Sequence, residues 1–88
     1  MERNIIDYYQ TAPFVIVKKG EKSIKFEKKN GQTLVFNNEE KRLTLEILCK
    51  KDRVEINDIT SEGKPVDIDL LNDLVNKGYL VPCLDFLP

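Results

Sequence analysis

The sequence has no histidine and no tryptophan, and it has only two cysteines in 88 residues. Without histidine it lacks the commonest metal ligand and the side chain best suited to acid–base chemistry near neutral pH. Cys49 and Cys83 form neither a CxxC motif nor a disulfide framework. No Ser/His or Cys/His arrangement and no glycine-rich phosphate loop accompanies them. We therefore expect a protein that is not an enzyme and that requires no metal or other cofactor.

Long apolar runs are also missing. No stretch approaches the roughly 18 residues that a membrane helix needs, and the opening MERNIIDYYQTAP lacks the apolar core of a secretory signal. Hydrophobic residues nevertheless make up 41% of the chain, and charged residues make up 33%. This composition is typical of one small globular domain. We expect a soluble cytoplasmic protein without a membrane partner.

The whole chain has almost no net charge, but two of its segments have a clear excess of one sign. The net charge is −1, which gives no global field for nucleic acid. Residues 18–29 contain six lysines and two glutamates, a local charge of +4, whereas residues 52–73 contain seven acids and two bases, a local charge of −5. The lysines are typical of solvated hairpins, and they also offer a surface for docking onto an enzyme.

Residues 14–37 predict three antiparallel strands. The first turn contains Gly20-Glu21, which suits a two-residue type II′ loop and would place Val17 opposite Ile24. Both residues then lie on one face of the hairpin.

The second turn leaves two registers to compare. A two-residue Asn30-Gly31 loop would place Phe26 opposite Val35, and a three-residue loop over 29–31 would place it opposite Leu34. We prefer the three-residue loop because it collects the apolar side chains on one face. That face would contain Val15, Val17, Ile24, Phe26, Leu34 and Phe36.

The second half of the chain predicts three helices. Asn37 or Asn38 can cap a helix that begins with two glutamates, which suit the positive end of the helix dipole. Residues 54–59 fit neither helical nor strand periodicity cleanly, and we interpret them as a short helix. Asp67 can cap the last helix, and Gly78 follows where helices commonly end in a left-handed residue. A short extended segment, YLV, then runs to Pro82.

These elements predict an α+β fold, with a three-stranded antiparallel sheet followed by three helices in a winged helix-turn-helix-like arrangement. We divide the chain into an N-terminal extension over 1–12, a domain over 13–81 and a C-terminal tail over 82–88. The sequence shows no internal repeat.

The segments TLVFNNEEKRLTLEILCKKDRVEINDI and DIDLLNDLVNKGYLV resemble the PqqD-like domain, the recognition element for precursors of ribosomally synthesised and modified peptides. In that family a strand ends in a polar residue before a helix with a central Ile-Leu, here Ile47-Leu48. An apolar segment that contains Glu and ends in Ile follows, here residues 54–59. The last helix closes with a glycine and an aliphatic residue, here Gly78 and Leu80.

The resemblance implies that the domain is non-catalytic. It implies binding of the leader segment of a precursor peptide, which adds as a strand beside the third strand and places apolar side chains against the last helix. The domain would then present the precursor to a modifying enzyme.

The residues themselves supply the physical requirements for such binding. The third strand has no charge and no proline, and in a simple meander it is an edge with free backbone groups. The last helix has an apolar arc of about 160°, at 100° per residue, which is wider than one core contact requires. Ile68, Leu71 and Val75 form one flank and Leu70 and Leu74 the other, and the pattern does not decide which flank faces the strand. The predicted peptide-binding residues are Gln32, Thr33, Leu34, Val35, Phe36, Asn37, Ile68, Leu70, Leu71, Leu74 and Val75.

Other functions compete with this hypothesis. A winged-helix DNA-binding regulator would place the last helix in the major groove, but that helix carries three aspartates, so we expect no nucleic acid partner. A general protein-interaction module or enzyme subunit would bind a folded partner instead of a peptide. A charge-free edge also permits a homodimer.

Overall fold

The computed structural model describes residues 6–84 as an α+β fold of six strands and two helices. The strands form two three-stranded antiparallel sheets, in the orders β2-β3-β4 and β5-β1-β6. The elements are β1 (Tyr8–Thr11), β2 (Val15–Lys19), β3 (Ile24–Lys28), β4 (Thr33–Phe36), α1 (Glu39–Lys51), β5 (Arg53–Glu55), α2 (Ile68–Asn76) and β6 (Leu80–Cys83).

The three strands predicted over residues 14–37 form the first sheet, β2-β3-β4. The predicted three-residue loop of the second hairpin is confirmed. Phe26 pairs with Leu34, and Gly31 takes the left-handed conformation with φ 97°. The apolar face that this register creates contains Ile24 and Phe26, both fully buried.

The predicted register of the first hairpin is wrong by two residues. Val17 pairs with Phe26 and not with Ile24, because the Gly20 N–H donates to the Ser23 carbonyl at 2.7 Å. The loop is therefore Glu21-Lys22, one residue later than predicted. A shift of two residues keeps every side chain on its predicted face, because side chains alternate with a period of two.

The predicted arrangement of one sheet followed by three helices is wrong, and so is the winged helix-turn-helix. Residues 54–59, predicted as a helix, contain the end of β5, in which Val54 is fully buried and pairs with Tyr9. Asp52, in the left-handed conformation with φ 65°, ends α1 abruptly. The Asp58 carboxylate then accepts from the Glu55 N–H at 2.9 Å, a local bond that competes with helix formation.

The central strand of the second sheet is β1, which lies within the segment 1–12 that we predicted as an N-terminal extension. β1 lies between β5 and β6 and buries Tyr9, whose hydroxyl donates to Asn72 Oδ1 at 2.8 Å. The extended segment after α2 is confirmed as β6, but Pro82 lies inside this strand and does not stop it. Pro82 occupies a non-hydrogen-bonded position on an edge strand, where its missing N–H has no partner in β1.

The two helices cover and connect the sheets. The predicted caps are confirmed, since the side chains of Asn38 and Asp67 accept backbone bonds at the starts of α1 and α2. α1 contacts β2 and β3 of the first sheet and β5 of the second. The fully buried Thr44 in the middle of α1 accepts from the Asp67 N–H at 2.9 Å, which ties α1 to the start of α2.

Candidate functional site

The candidate site is the outer edge of β4. Within residues 6–84, β3 lies on one side of this strand and no strand lies on the other. β4 carries no charged side chain and no proline. Such an edge presents backbone groups with few of the features that discourage pairing with another chain.

The register fixes which backbone groups of β4 point outward. Pairs of the antiparallel ladder alternate between hydrogen-bonded and non-hydrogen-bonded. The Lys28 N–H donates to the Gln32 carbonyl at 2.8 Å, so the pairs of Leu34 and Phe36 with β3 are hydrogen-bonded. Thr33 and Val35 occupy the alternate positions. Their two N–H and two C=O groups therefore point away from β3, and no hydrogen bond from the described part of the chain reaches them.

The side chains of β4 divide between two environments. Thr33 and Val35 are exposed on the outer face of the sheet, with Val35 at 49%. On the inner face Phe36 is buried, and its ring meets Phe26 edge-on with the centroids 6.0 Å apart. Leu34 on that face is half-buried and packs against the core. Leu34 is thus the apolar side chain on the inner face of β4 that an added strand would cover.

The polar residues at the ends of β4 are both exposed. Gln32 belongs to the turn, where its N–H donates to Asn30 Oδ1 at 3.0 Å and its side-chain oxygen accepts from Lys28 Nζ at 3.4 Å. Asn37 lies between the strand and the cap residue of α1. These contacts hold the strand between a tight turn and a capped helix.

The last helix offers less apolar surface than its sequence suggests. Leu70, Leu71 and Leu74 are buried in the core, Leu71 and Leu74 completely. Ile68 and Val75 are half-buried. Each flank predicted from the helical wheel is therefore at least partly core, and the accessible apolar residues of α2 are Ile68 and Val75.

The end of α2 lies beside the turn that leads into β4. Lys28 Nζ donates to the Lys77 carbonyl at 2.7 Å and lies 4.6 Å from the centroid of the Tyr79 ring. The Tyr79 ring in turn contacts Phe26 with the centroids 5.8 Å apart. Sequence reasoning missed this role of Lys28, because a lysine at the end of a hairpin strand carries no signal of a bond 49 residues away.

A second missed feature is Phe14. It takes a positive φ of 64° and exposes 74% of its surface. Its ring lies 5.0 Å from Lys29 Nζ on the outer side of the first sheet. A bulky residue rarely takes this conformation, and the sequence pattern FVIVKK gave no indication of it.

Residues 6–84 contain no group of three potential ligands that could hold a metal ion. Cys49 and Cys83 are free, and burial raises the pKa of the Cys49 thiol, which disfavours the reactive thiolate. No helix in this part of the chain is long and apolar enough to cross a membrane.

Comparisons of this chain with family models, with curated proteins and with solved structures found no match.

Proposed function

We propose that this protein is a non-catalytic peptide-binding domain, in which an extended peptide pairs with β4. The observation that supports the proposal is the set of four outward backbone groups on Thr33 and Val35, at an edge with neither charge nor proline. Strand addition uses such groups for affinity and uses the adjacent side chains for selectivity.

Backbone pairing alone is not enough for useful affinity. Four hydrogen bonds contribute about 2–6 kcal/mol net at ~0.5–1.5 kcal/mol each, whereas micromolar binding requires about 8 kcal/mol. Apolar contacts must supply the rest. Leu34 lies on the inner face of β4, and Ile68 and Val75 are the partly accessible apolar residues of α2. We propose that the inward-facing apolar side chains of the peptide contact Leu34 and reach toward these two residues of α2.

The resemblance to precursor-recognition elements supports a narrower form of the proposal. The ligand would be the leader segment of a ribosomally made precursor peptide, and the domain would hold that peptide for a modifying enzyme. This narrower proposal rests on the resemblance of the segment that contains β4, α1 and α2. It does not rest on the expected three helices, because the fold has two.

Substitution of Val35 by proline tests strand addition. The change removes the outward N–H of Val35 and leaves every bond between β4 and β3 in place, and proline is tolerated at such edge positions. We expect Val35→Pro to weaken binding at least tenfold, about 1.4 kcal/mol or more, with little change in thermal stability. The probe is a fluorescently labelled synthetic leader peptide, taken from a short precursor gene if one lies beside the gene of this chain, and its binding is followed by anisotropy.

Val35→Thr is the matched control, because it keeps the N–H and the β-branched shape. Its affinity should stay close to that of the parent protein. Equal binding by the parent and by Val35→Pro would refute strand addition at β4. Absence of binding to the parent at about 1 mM, an affinity weaker than ~4 kcal/mol, would refute the leader-binding proposal itself.

A further inference from the structure

The outward groups of β4 are arranged symmetrically about Leu34. Thr33 and Val35 each present an N–H and a C=O, and Leu34 between them bonds inward to Phe26. An antiparallel copy of the same segment therefore presents the same groups in matching order. This self-complementarity follows from the register and needs no change of backbone.

We propose that β4 pairs with β4 of a second copy and that this homodimer masks the peptide-binding edge. The masking role rests on the proposed function, whereas the dimer itself does not. In the proposed register Thr33 of each copy pairs with Val35 of the other, which makes four hydrogen bonds. Leu34 faces Leu34 across the two-fold axis as a non-hydrogen-bonded pair. The two sheets join into one six-stranded sheet.

The side chains agree with this register on both faces. On the inner face Leu34 is half-buried beside Phe26, so the dimer extends one apolar row across the axis. On the outer face Val35 lies beside Lys25, and Thr33 lies beside Glu27. Because Val35 pairs with Thr33 of the second copy, each outer row has a lysine from one copy and a glutamate from the other. Like charges are not brought together in these rows.

The other edge of the same sheet is less suited to self-pairing. β2 ends with Lys18 and Lys19, which are charged residues of the kind that discourage edge pairing. The Val15 N–H at the start of β2 already donates to the Ala12 carbonyl at 3.2 Å. β4 is therefore the edge of this sheet that favours a second copy.

The dimer is expected to be weak. Pairing through a four-residue strand buries less than the roughly 1,200 Å² of a standard interface, so we expect dissociation constants of about 0.1–1 mM. A leader peptide that also contacts Ile68 and Val75 would displace the second copy. The pairing thus covers the exposed edge of β4 at high protein concentration, and the second copy dissociates when the leader peptide binds.

Cysteine cross-linking tests the register. In full-length protein with Cys49→Ala and Cys83→Ala, Leu34→Cys places two thiols across a non-hydrogen-bonded pair. The Cα separation there is about 4.5 Å, within the range of disulfides. Thr33→Cys and Val35→Cys each place identical thiols about 8–9 Å apart, too far to bridge. In a mixed dimer of these two variants, the thiol at position 33 of one copy lies opposite the thiol at position 35 of the other.

Under mild oxidation at about 1 mM protein, Leu34→Cys should cross-link several-fold more than either other variant alone. The mixture of Thr33→Cys and Val35→Cys should exceed both of its components. Equal cross-linking by all three single variants would overturn the proposed register. Sedimentation of the unmodified protein supplies a measurement that does not depend on any variant, and a monomer throughout the range up to about 1 mM would overturn the dimer.

The leader peptide separates this inference from the proposed function. Suppression by the peptide of the cross-link between Thr33→Cys and Val35→Cys, two variants that keep Leu34, supports the masking role. Peptide binding by a protein that remains monomeric overturns the dimer and leaves the proposed function standing. A dimer whose cross-linking the peptide does not change overturns the masking role.

Discussion

Single residues of this protein contribute through local geometry as much as through burial. Gly78 has φ 85°, and a Cβ there would lie 3.0 Å from Lys28 Nζ. This position is the point where α2 ends and where Lys28 caps the Lys77 carbonyl. The glycine expected from helix-ending patterns is thus favoured for a second reason, the close approach of the Lys28 side chain.

Gly78→Ala is expected to destabilise the protein through both effects. The left-handed conformation costs a non-glycine residue about 1–2 kcal/mol, and the added methyl group also displaces the Lys28 ammonium group. Gly63→Ala is a matched control, because Gly63 has φ 78° with open space around its Cβ position. Chemical denaturation of both variants should show the larger loss for Gly78→Ala. Equal losses would mean that Lys28 moves away without cost.

Thr44 is a buried polar residue whose hydroxyl is expected to matter. It is 1% exposed, and its hydroxyl accepts from the N–H of Asp67, the N-cap residue of α2. Thr44→Val keeps the shape but leaves that N–H without its acceptor, which should lower the unfolding free energy by about 1–3 kcal/mol. Thr44→Ser keeps the hydroxyl and should retain more of the stability. A loss for Thr44→Ser as large as that for Thr44→Val would assign the effect to packing instead.

At the scale of elements, the sequence predicted the features that depend on neighbouring residues, namely helix caps and left-handed glycines. The caps at Asn38 and Asp67 and the left-handed Gly31 and Gly78 depend on neighbours within a few residues, and each lies where the sequence indicated. The hairpin face was predicted even where the register was not, because period-two alternation survives a shift of two.

The strands of the second sheet were not predictable in this way. β5 has three residues, and β1 is stabilised by partners more than 40 residues away in sequence. Such pairing depends on tertiary contacts that override weak local preference. The sequence predicted the edge position of β4 but not the burial of the α2 leucines. The edge position of β4 followed from hairpin order, whereas the burial of Leu71 and Leu74 depends on a core assembled from segments distant in sequence.

The turn after β5 gives the fold a pH-dependent element. Burial alone would raise the pKa of Asp58, but the Glu55 N–H and the Lys51 ammonium at 2.9 Å together lower it below its ordinary value of 3.8. A lowered folded-state pKa gives stability that is present above the unfolded-state pKa and is lost as the pH falls through the folded-state value.

Asp58→Asn is therefore expected to be less stable than the parent at pH 7, with the difference shrinking as the pH falls below the ordinary value of 3.8. Urea unfolding at a series of pH values measures this difference. Lys51→Met removes one of the two stabilising partners and should produce part of the same effect. A difference that is constant across the series would show that the carboxylate charge does not contribute.

On the scale of the whole molecule, two small sheets share one core while β4 remains an uncovered edge among residues 6–84. Tyr9 of β1, Phe26 of β3 and Leu74 of α2 are all almost completely buried. The core is therefore complete without any partner at the outer edge of β4. Changes confined to that side can therefore alter binding while the fold persists. The acidic α2, with Asp69 and Asp73 exposed, disfavours an approach to nucleic acid phosphates.

Amide hydrogen exchange of β4, followed by NMR at a concentration at which the protein is monomeric, tests the available edge most directly. The amides of Leu34 and Phe36, which bond to β3, should be protected, and those of Thr33 and Val35 should exchange rapidly until a bound peptide protects them. Strong protection of Thr33 and Val35 in the free monomer, or no gain in protection when a peptide is bound, would contradict the account.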